Sequence, residues 1–90
     1  MIARHFFVSG RVQGVGFRWF TMHRARALDL DGWVRNTPDG RVEVWAEGPE
    51  SDVDALEAAL KGGPPGAMVR SVSADAAEPR LQGRGFDVTF

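Results

Sequence analysis

The segment Gly10-Arg11-Val12-Gln13-Gly14-Val15-Gly16-Phe17-Arg18 has residue types suited to binding an anion. Its glycines permit positive φ angles, which turn successive backbone N–H groups toward one concavity. An apolar strand precedes the segment and helical spacing follows it, so the start of a helix adds N–H donors and a partial positive charge. Arg18 adds a planar cation that can bind two phosphate oxygens. The segment therefore predicts either a phosphate-binding turn or a tight surface turn beside an exposed arginine.

Better-known glycine-rich loops do not match this segment. A Walker A loop needs a Lys-Ser or Lys-Thr pair after the glycines, and the dinucleotide fingerprint needs G-x-G-x-x-G; neither is present. Residues 14–20 partly match the RNP1 pattern of RNA-binding proteins, but RNP1 lies within a strand and this segment runs into a helix. The alternatives to an enzyme are therefore a non-catalytic phosphate- or anion-binding module and an RNA-binding module.

A second segment, residues 32–43, places Asn36 at the end of a predicted strand, just before the turn Thr37-Pro38-Asp39-Gly40. By itself, an asparagine at this point favours a role in stabilising its own turn, and we interpret Asp39 as a turn former, with contact to a water molecule as the alternative. His5 lies in the first predicted strand and His23 on the polar side of the first predicted helix. We interpret both histidines as ordinary strand or surface residues.

The composition of the chain predicts one globular domain over residues 1–90. The chain is 43% hydrophobic and 26% charged, and its formal net charge of −1 argues against non-specific binding to nucleic acid. It has no cysteine and no group of His and Asp residues with metal-ligand spacing, so we expect neither a disulfide, nor a thiolate nucleophile, nor a bound metal. No signal-peptide or membrane-spanning pattern is visible, and we expect a cytoplasmic location.

The spacing of apolar residues predicts the element order β-α-β-β-α-β, followed by a short C-terminal strand. The expected strands are residues 4–11, 32–36, 41–47, 67–74 and 86–90. The first helix is expected to end at Gly32. The second is expected to have Ser51 as its N-cap and to end at Gly62 and Gly63. This order is typical of an α+β, ferredoxin-like split βαβ fold, in which both helices cover one face of an antiparallel sheet.

Side-chain alternation predicts which strand residues face the helices. Val42, Val44 and Ala46 are expected to point inward, and Arg41, Glu43, Trp45 and Glu47 to point to solvent. Phe7 and Trp45 would then form an exposed aromatic patch on the face that the helices leave open, either as a small solvent-tolerated cluster or as a surface for weak self-association or contact with an apolar acyl group. In the fourth strand, Val69 and Val72 are out of phase with each other, which predicts a β-bulge.

Two motifs together resemble the two signatures of the acylphosphatase family. They are Gly10-x-Val12-Gln13-Gly14-Val15-x-Phe17-Arg18 and Gly32-Trp33-Val34-x-Asn36-x-x-Asp39-Gly40-x-Val42-Glu43, in the family's order and at its separation, and the likeness extends to residues 46–49 and 63–65. The resemblance implies metal-free hydrolysis of the carboxyl-phosphate anhydride of an acyl phosphate, giving a carboxylate and inorganic phosphate. It also implies the site residues. The phosphate-binding residues are Arg11, Val12, Gln13, Gly14, Val15, Gly16, Phe17 and Arg18, which act through backbone amides and the Arg18 side chain, and Asn36 holds the attacking water.

The residue types in the two motifs are consistent with such a reaction. Phosphoryl transfer depends mainly on positioning and on stabilisation of charge, which backbone amides and an arginine can supply. Neither motif offers a clearly placed general acid, and a carboxylate whose conjugate acid has a pKa of about 4 leaves without being protonated. The expected partners are an acyl phosphate as substrate and inorganic phosphate as product and competitive inhibitor. We expect no cofactor, no nucleic acid and no membrane, and a monomeric protein.

Overall fold

The computed structural model describes all 90 residues as a five-stranded sheet with two helices. The elements are β1 (Ile2–Arg11), α1 (Phe17–Ala27), β2 (Asp31–Asn36), β3 (Val42–Gly48), α2 (Glu50–Gly62), β4 (Met68–Ala77) and β5 (Phe86–Val88). The strand order in the sheet is β4-β1-β3-β2-β5, and α1 and α2 contact each other on one side of it. The ferredoxin-like arrangement predicted from the sequence is confirmed.

One strand departs from the predicted antiparallel sheet. β1, β2, β3 and β4 pair antiparallel, but β5 pairs parallel to β2, with Gly32 opposite Phe86. The sheet is therefore mixed, because the chain crosses from β4 at one edge to β5 at the opposite edge and enters β5 in the direction of β2. Neither helix has the length and apolar character needed to cross a membrane.

The core lies between the sheet and the two helices. β1 contributes Phe6 and Val8, which are fully buried because alternate residues of the strand point to the helices. α2 contributes Val53, Leu56 and Leu60, whose helical spacing places them on one face, as the sequence predicted. Burial of each such side chain favours folding by about 1.5 to 3 kcal/mol before the entropy cost. This packing fixes the position of the β1 end, from which the glycine-rich segment emerges.

Two of the three predicted helix ends require correction, and the third, the end of α2 at Gly62 and Gly63, is confirmed. α1 ends at Ala27 and not at Gly32, because Asp29 adopts a left-handed φ of 58° and the Asp29 and Leu30 N–H groups return to the carbonyls of Arg26 and Ala25. This is a Schellman closure, and aspartate tolerates the left-handed conformation better than most residues. α2 begins at Glu50 after Pro49, whose carbonyl accepts the Asp52 and Val53 N–H groups. Ser51 therefore lies inside the helix and does not cap it.

The predicted β-bulge is confirmed where β1 pairs with β4. Ser9 lies opposite Ser71, but the next residue, Gly10, lies opposite Val69, so Arg70 is an extra residue in β4. The bulge shifts the phase of β4 by one residue, which explains why Val69 and Val72 both pack against the core. β4 itself continues to Ala77, three residues beyond the predicted end, while β5 stops at Val88.

The expectation that β3 has a solvent-exposed face was wrong. Every residue from Val42 to Gly48 is buried, and the exposed fractions of Glu43, Trp45 and Glu47 are only 6%, 6% and 3%. The backbone N–H groups of Arg80 and Leu81 donate to the Glu47 carboxylate, and the Arg80 guanidinium lies 4.1 Å from the Trp45 ring centroid. The segment after β4 thus covers Trp45 and Glu47 on this face, so the predicted exposed patch of Phe7 and Trp45 does not form.

Candidate active site

The glycine-rich loop, residues 12–16, connects the end of β1 to the start of α1. Gly14 and Gly16 have left-handed φ angles of 75° and 78°, and Gly16 is the N-cap residue that directly precedes α1. A Cβ atom at either position would meet nothing within 4 Å. Glycine is therefore favoured here by the backbone conformation and not by crowding.

The backbone N–H groups of the loop and of the first turn of α1 are open donors. None of the N–H groups from Val12 to Trp19 donates a hydrogen bond to another part of the chain, and the first bond of the helix runs from the Phe20 N–H to the Gly16 carbonyl. A helix start alone leaves the N–H groups of its first turn unpaired. Here the left-handed loop residues extend that set upstream, and no acidic side chain lies in the first turn to compete for it. The arrangement suits a bound anion.

Apolar side chains hold this loop in place. Val12 and Phe17, on either side of the glycines, are buried in the core, and Val15 packs against it. The loop is consequently anchored by its side chains while its backbone remains free to bind. Arg11 lies at the end of β1, where its side chain is exposed, and it does not border the concavity described below.

Arg18, in the first turn of α1, is half-buried and forms no ion pair with a carboxylate. Its guanidinium carbon lies 4.8 Å from the centroid of the Phe90 ring. Stacking on an aromatic ring leaves the planar edge of a guanidinium, with its N–H donors, available to another group.

Asn36 lies at the end of β2, opposite Val42 of β3. The structure brings it to the same concavity as the loop, a space of about 160 Å³. The residues bordering this concavity are Val12, Gly14, Gly16, Phe17, Arg18, Trp19 and Asn36. Residues of both motifs therefore meet at one edge of the sheet. An anion held by the loop amides and Arg18 would lie beside the Asn36 amide.

The turn between β2 and β3 is held by its own side chains. Asp39 is exposed and accepts hydrogen bonds from the Thr37 hydroxyl and from Arg41 Nε. These bonds, the one from Thr37 first, lower the pKa of Asp39 to about 2. Asp39 does not border the concavity, so it stays an anionic turn residue, in agreement with our interpretation of it.

The two histidines lie away from the concavity. His23 is exposed on α1, and His5 lies on the far face of the sheet with its Nε2 atom 2.7 Å from Glu43 Oε2. Glu43 also accepts a hydrogen bond from Arg35 Nε at 2.7 Å. Burial raises the pKa of Glu43, but the hydrogen bonds from Arg35 and His5 lower it by more. The pKa of Glu43 is therefore below the usual value. These groups form a structural ion cluster.

Sequence reasoning missed two contacts at the site. The Gln13 side chain reaches the turn after β2, where its Nε2 atom donates to the carbonyls of Thr37 and Arg41 at 2.8 Å each. Phe90 stacks on Arg18 and also borders a second, wider recess with Arg35, Asn36, Thr37 and Pro38. No local pattern signals either contact, because the partners are backbone carbonyls or residues far away along the chain.

Comparison with known proteins gives a consistent result. The Acylphosphatase family model matches residues 4–88. An acylphosphatase from Archaeoglobus fulgidus is 53% identical over 78 residues, which cover 87% of this chain and 88% of that protein, and one from Trichormus variabilis is 49% identical over 88 residues, which cover 98% and 86%. The crystal structure of acylphosphatase from Bacillus subtilis superimposes with a TM-score of 0.96 at 39% identity and covers 100% of both chains. The chain belongs to the acylphosphatase family.

Proposed function

We propose that this acylphosphatase hydrolyses the carboxyl-phosphate anhydride of acyl phosphates at the concavity between the glycine-rich loop and Asn36. The proposal depends on one feature: residues of the loop and of the first turn of α1, whose N–H groups have no partner in the chain, border one small concavity together with Asn36. The N–H groups and the guanidinium suit the oxygens of a phosphoryl group, and the amide can hold a water molecule.

In the proposed reaction, water attacks the phosphorus atom and the bond from phosphorus to the bridging oxygen breaks. The products are a carboxylate and inorganic phosphate, and the attacking water contributes its oxygen to the phosphate. Charge on the three phosphoryl oxygens is stabilised by preorganised N–H donors and by Arg18. The carboxylate leaves without protonation because its conjugate acid has a pKa of about 4.

Asn36 is the residue proposed to position the attacking water. Its side-chain amide has both a donor and an acceptor, so it can orient a water molecule without removing its proton. Misplacement of a reacting group by about 1 Å can cost about a hundredfold in rate. We therefore expect Asn36→Ala to lower kcat by about that factor while the inhibition constant of inorganic phosphate stays nearly unchanged. Equal losses in kcat and phosphate affinity would assign Asn36 to phosphate binding instead.

The direct test is hydrolysis of benzoyl phosphate by the purified protein, before and after prolonged treatment with EDTA. We expect turnover in both samples, because the proposed groups are amides, a guanidinium and a carboxamide, which need no metal to act. A sample that loses activity on treatment and regains it with magnesium would contradict the metal-free proposal. Inorganic phosphate should inhibit competitively, since it would occupy the same N–H donors.

Turnover also separates the enzyme from the alternative of an anion-binding or RNA-binding module. A pure binder would bind phosphate without accelerating hydrolysis, and an RNA binder would lose affinity steeply as salt rises. The proposed partners are a small acyl phosphate and inorganic phosphate, without nucleic acid or membrane, and the proposed state is a cytoplasmic monomer. Sedimentation of the purified protein over a range of concentrations tests the monomeric state.

A further inference from the structure

The Gln13 side chain connects the glycine-rich loop to the turn that follows Asn36. Both partners of its Nε2 atom are backbone carbonyl oxygens, those of Thr37 and Arg41, and both distances are 2.8 Å. Carbonyl oxygens only accept hydrogen bonds, so the NH₂ group of the amide must face them, and each of its two hydrogens has one partner. Gln13 is half-buried and crosses from one motif to the other over 24 and 28 residues of sequence.

The two carbonyls are also the ones that close the turn itself. The Thr37 carbonyl accepts the Gly40 N–H, and the Arg41 carbonyl accepts the Thr37 N–H. The Gln13 amide therefore binds the same two atoms that define the turn from Thr37 to Arg41. This turn begins directly after Asn36, at the end of β2, so its placement relative to the loop sets the placement of the Asn36 side chain.

No other hydrogen bond between protein groups joins this loop to this turn. The loop N–H groups have no partners in the chain, and the Arg18 side chain stacks on Phe90. Hydrophobic anchors such as Val12 and Phe17 fix the loop to the core, but apolar packing is not directional. A bidentate amide bridge is directional, and it spans the two halves of the proposed site.

We infer that Gln13 is a positioning residue, whose side chain holds Asn36 and the attacking water in register with the phosphate bound by the loop. This role rests on the hydrolysis proposed above and goes beyond it, since Gln13 was expected to act only through its backbone N–H. It predicts that the Gln13 side chain acts through Asn36, so the two residues should not contribute independently.

The main test is a double-mutant cycle with Gln13→Met, which keeps the length of the side chain and removes both donors. Loss of two hydrogen bonds of ordinary strength should lower kcat by about tenfold in the wild-type background, with the inhibition constant of phosphate changed by less than about threefold. In the Asn36→Ala background the same substitution should lower kcat by less than about twofold. Equal losses in the two backgrounds, or a fall in phosphate affinity parallel to kcat, would overturn the proposal.

A second variant, Gln13→Glu, tests the donor requirement directly. At neutral pH its carboxylate would face two carbonyl oxygens and could donate to neither, whereas the protonated form regains one donor. The ratio of kcat for Gln13→Glu to kcat for Gln13→Met should therefore rise as pH falls toward the usual glutamate pKa of about 4.3. A ratio that is flat with pH would mean that donation to the turn does not matter. The matched control is Gln82→Met, at an exposed glutamine for which the structure shows no side-chain hydrogen bond; it should leave kcat unchanged.

The bridge can also be measured without turnover, so that its failure is distinguished from failure of the proposed reaction. Hydrogen exchange of the Thr37 N–H, which donates to Arg41, should be about tenfold faster in Gln13→Met than in the wild type if the amide holds the turn. Unchanged exchange at Thr37 in a folded Gln13→Met variant would overturn the inference even if the wild type hydrolyses acyl phosphates. Faster exchange in Gln13→Met, together with a wild type that does not hydrolyse acyl phosphates, would support the bridge and refute only the reaction.

Discussion

The glycine-rich loop and the face of β3 that points away from the helices differ in how their polar groups are paired. In the loop and the first turn of α1, the backbone N–H groups from Val12 to Trp19 have no acceptor in the chain, and six of these eight residues border an open concavity. On β3, Glu47 receives hydrogen bonds from Trp45 Nε1 and from the N–H groups of Arg80 and Leu81. No buried side-chain nitrogen or oxygen of the protein lacks a hydrogen-bond partner.

This difference separates the proposed binding region from a structural one. A buried polar group without a partner costs about 1 to 3 kcal/mol, so groups that serve only the fold are paired. Donors that stay unpaired within the chain are retained where solvent or a ligand can reach them. The presence of charged side chains alone does not identify a solvent-exposed face. The acidic residues of β3 look like solvent-facing residues in the sequence, but they are buried and fully paired.

Arg18→Lys is the change with the largest expected effect, and it tests the binding side of the comparison. A lysine keeps the charge but cannot place two parallel N–H donors on two phosphate oxygens. The expected loss is about 2 to 4 kcal/mol of transition-state stabilisation in kcat/KM, by analogy with removal of one preorganised donor. Stability should hardly change, because Arg18 forms no ion pair within the protein.

The measurement for Arg18→Lys pairs steady-state kinetics on benzoyl phosphate with a thermal unfolding curve. Lys61→Arg, the exposed reverse exchange near the end of α2, is the control and should leave both quantities unchanged. Wild-type kcat/KM in a folded Arg18→Lys variant would remove Arg18 from the proposed site.

Glu47→Gln tests the structural side of the comparison and should have the opposite signature. An amide in place of the carboxylate can accept fewer hydrogen bonds and turns a donor toward Trp45 Nε1 or the backbone N–H groups. We expect a loss of about 1 to 3 kcal/mol in the free energy of unfolding at pH 7, the cost of an unpaired buried donor, with kcat/KM of the folded protein unchanged. A variant that unfolds normally but loses activity would break the comparison.

The same variant has a predicted pH dependence. Burial raises the pKa of Glu47, but hydrogen bonds from Trp45, Leu81 and Arg80 lower it by more, so its pKa lies below the usual value for a glutamate. A lowered pKa in the folded state gives stability that is present above the unfolded pKa and is lost as pH falls through the folded one. The stability difference between wild type and Glu47→Gln should therefore be constant near neutral pH and shrink below about pH 4.5. Urea unfolding at several pH values measures it, and a difference that grows on acidification would contradict the assignment.

The sequence predicted the fold and the two motifs because both depend on local patterns. Apolar spacing was sufficient for the element order, and the glycines and Arg18 were sufficient to indicate the proposed anion site. The parallel pairing of β5 with β2 was missed because it depends on how an irregular segment crosses the sheet. Burial of Trp45 and Glu47 was missed for the same reason, since residues 80 and 81 provide the cover from 33 to 34 positions away.

The Gln13 bridge shows a different limit. Its residue type was visible in the motif, but its partners are the carbonyl groups of Thr37 and Arg41, which every residue type possesses. No pattern of side chains can therefore indicate which carbonyl an amide will reach. The end of α1 was predicted wrongly for a similar reason. Asp29, in the left-handed conformation, closes the helix, whereas the sequence pointed to Gly32.

Trp45→Phe has the smallest expected effect on stability, and it removes one hydrogen bond from the face of β3 that points away from the helices. Phenylalanine keeps an aromatic ring beneath the Arg80 guanidinium but removes the N–H that donates to Glu47 Oε2 at 2.7 Å. Glu47 retains its two bonds from the backbone N–H groups, so we expect a loss of only about 1 kcal/mol in the free energy of unfolding. Trp33→Phe is the matched control: Trp33 stacks on Trp45 with ring centroids 6.5 Å apart and forms no side-chain hydrogen bond, so this variant reports the change of ring alone. Urea unfolding of both variants measures the difference. If both variants lose the same free energy of unfolding, the hydrogen bond to Glu47 contributes nothing. Packing, and not polar contacts, would then stabilise this face of β3.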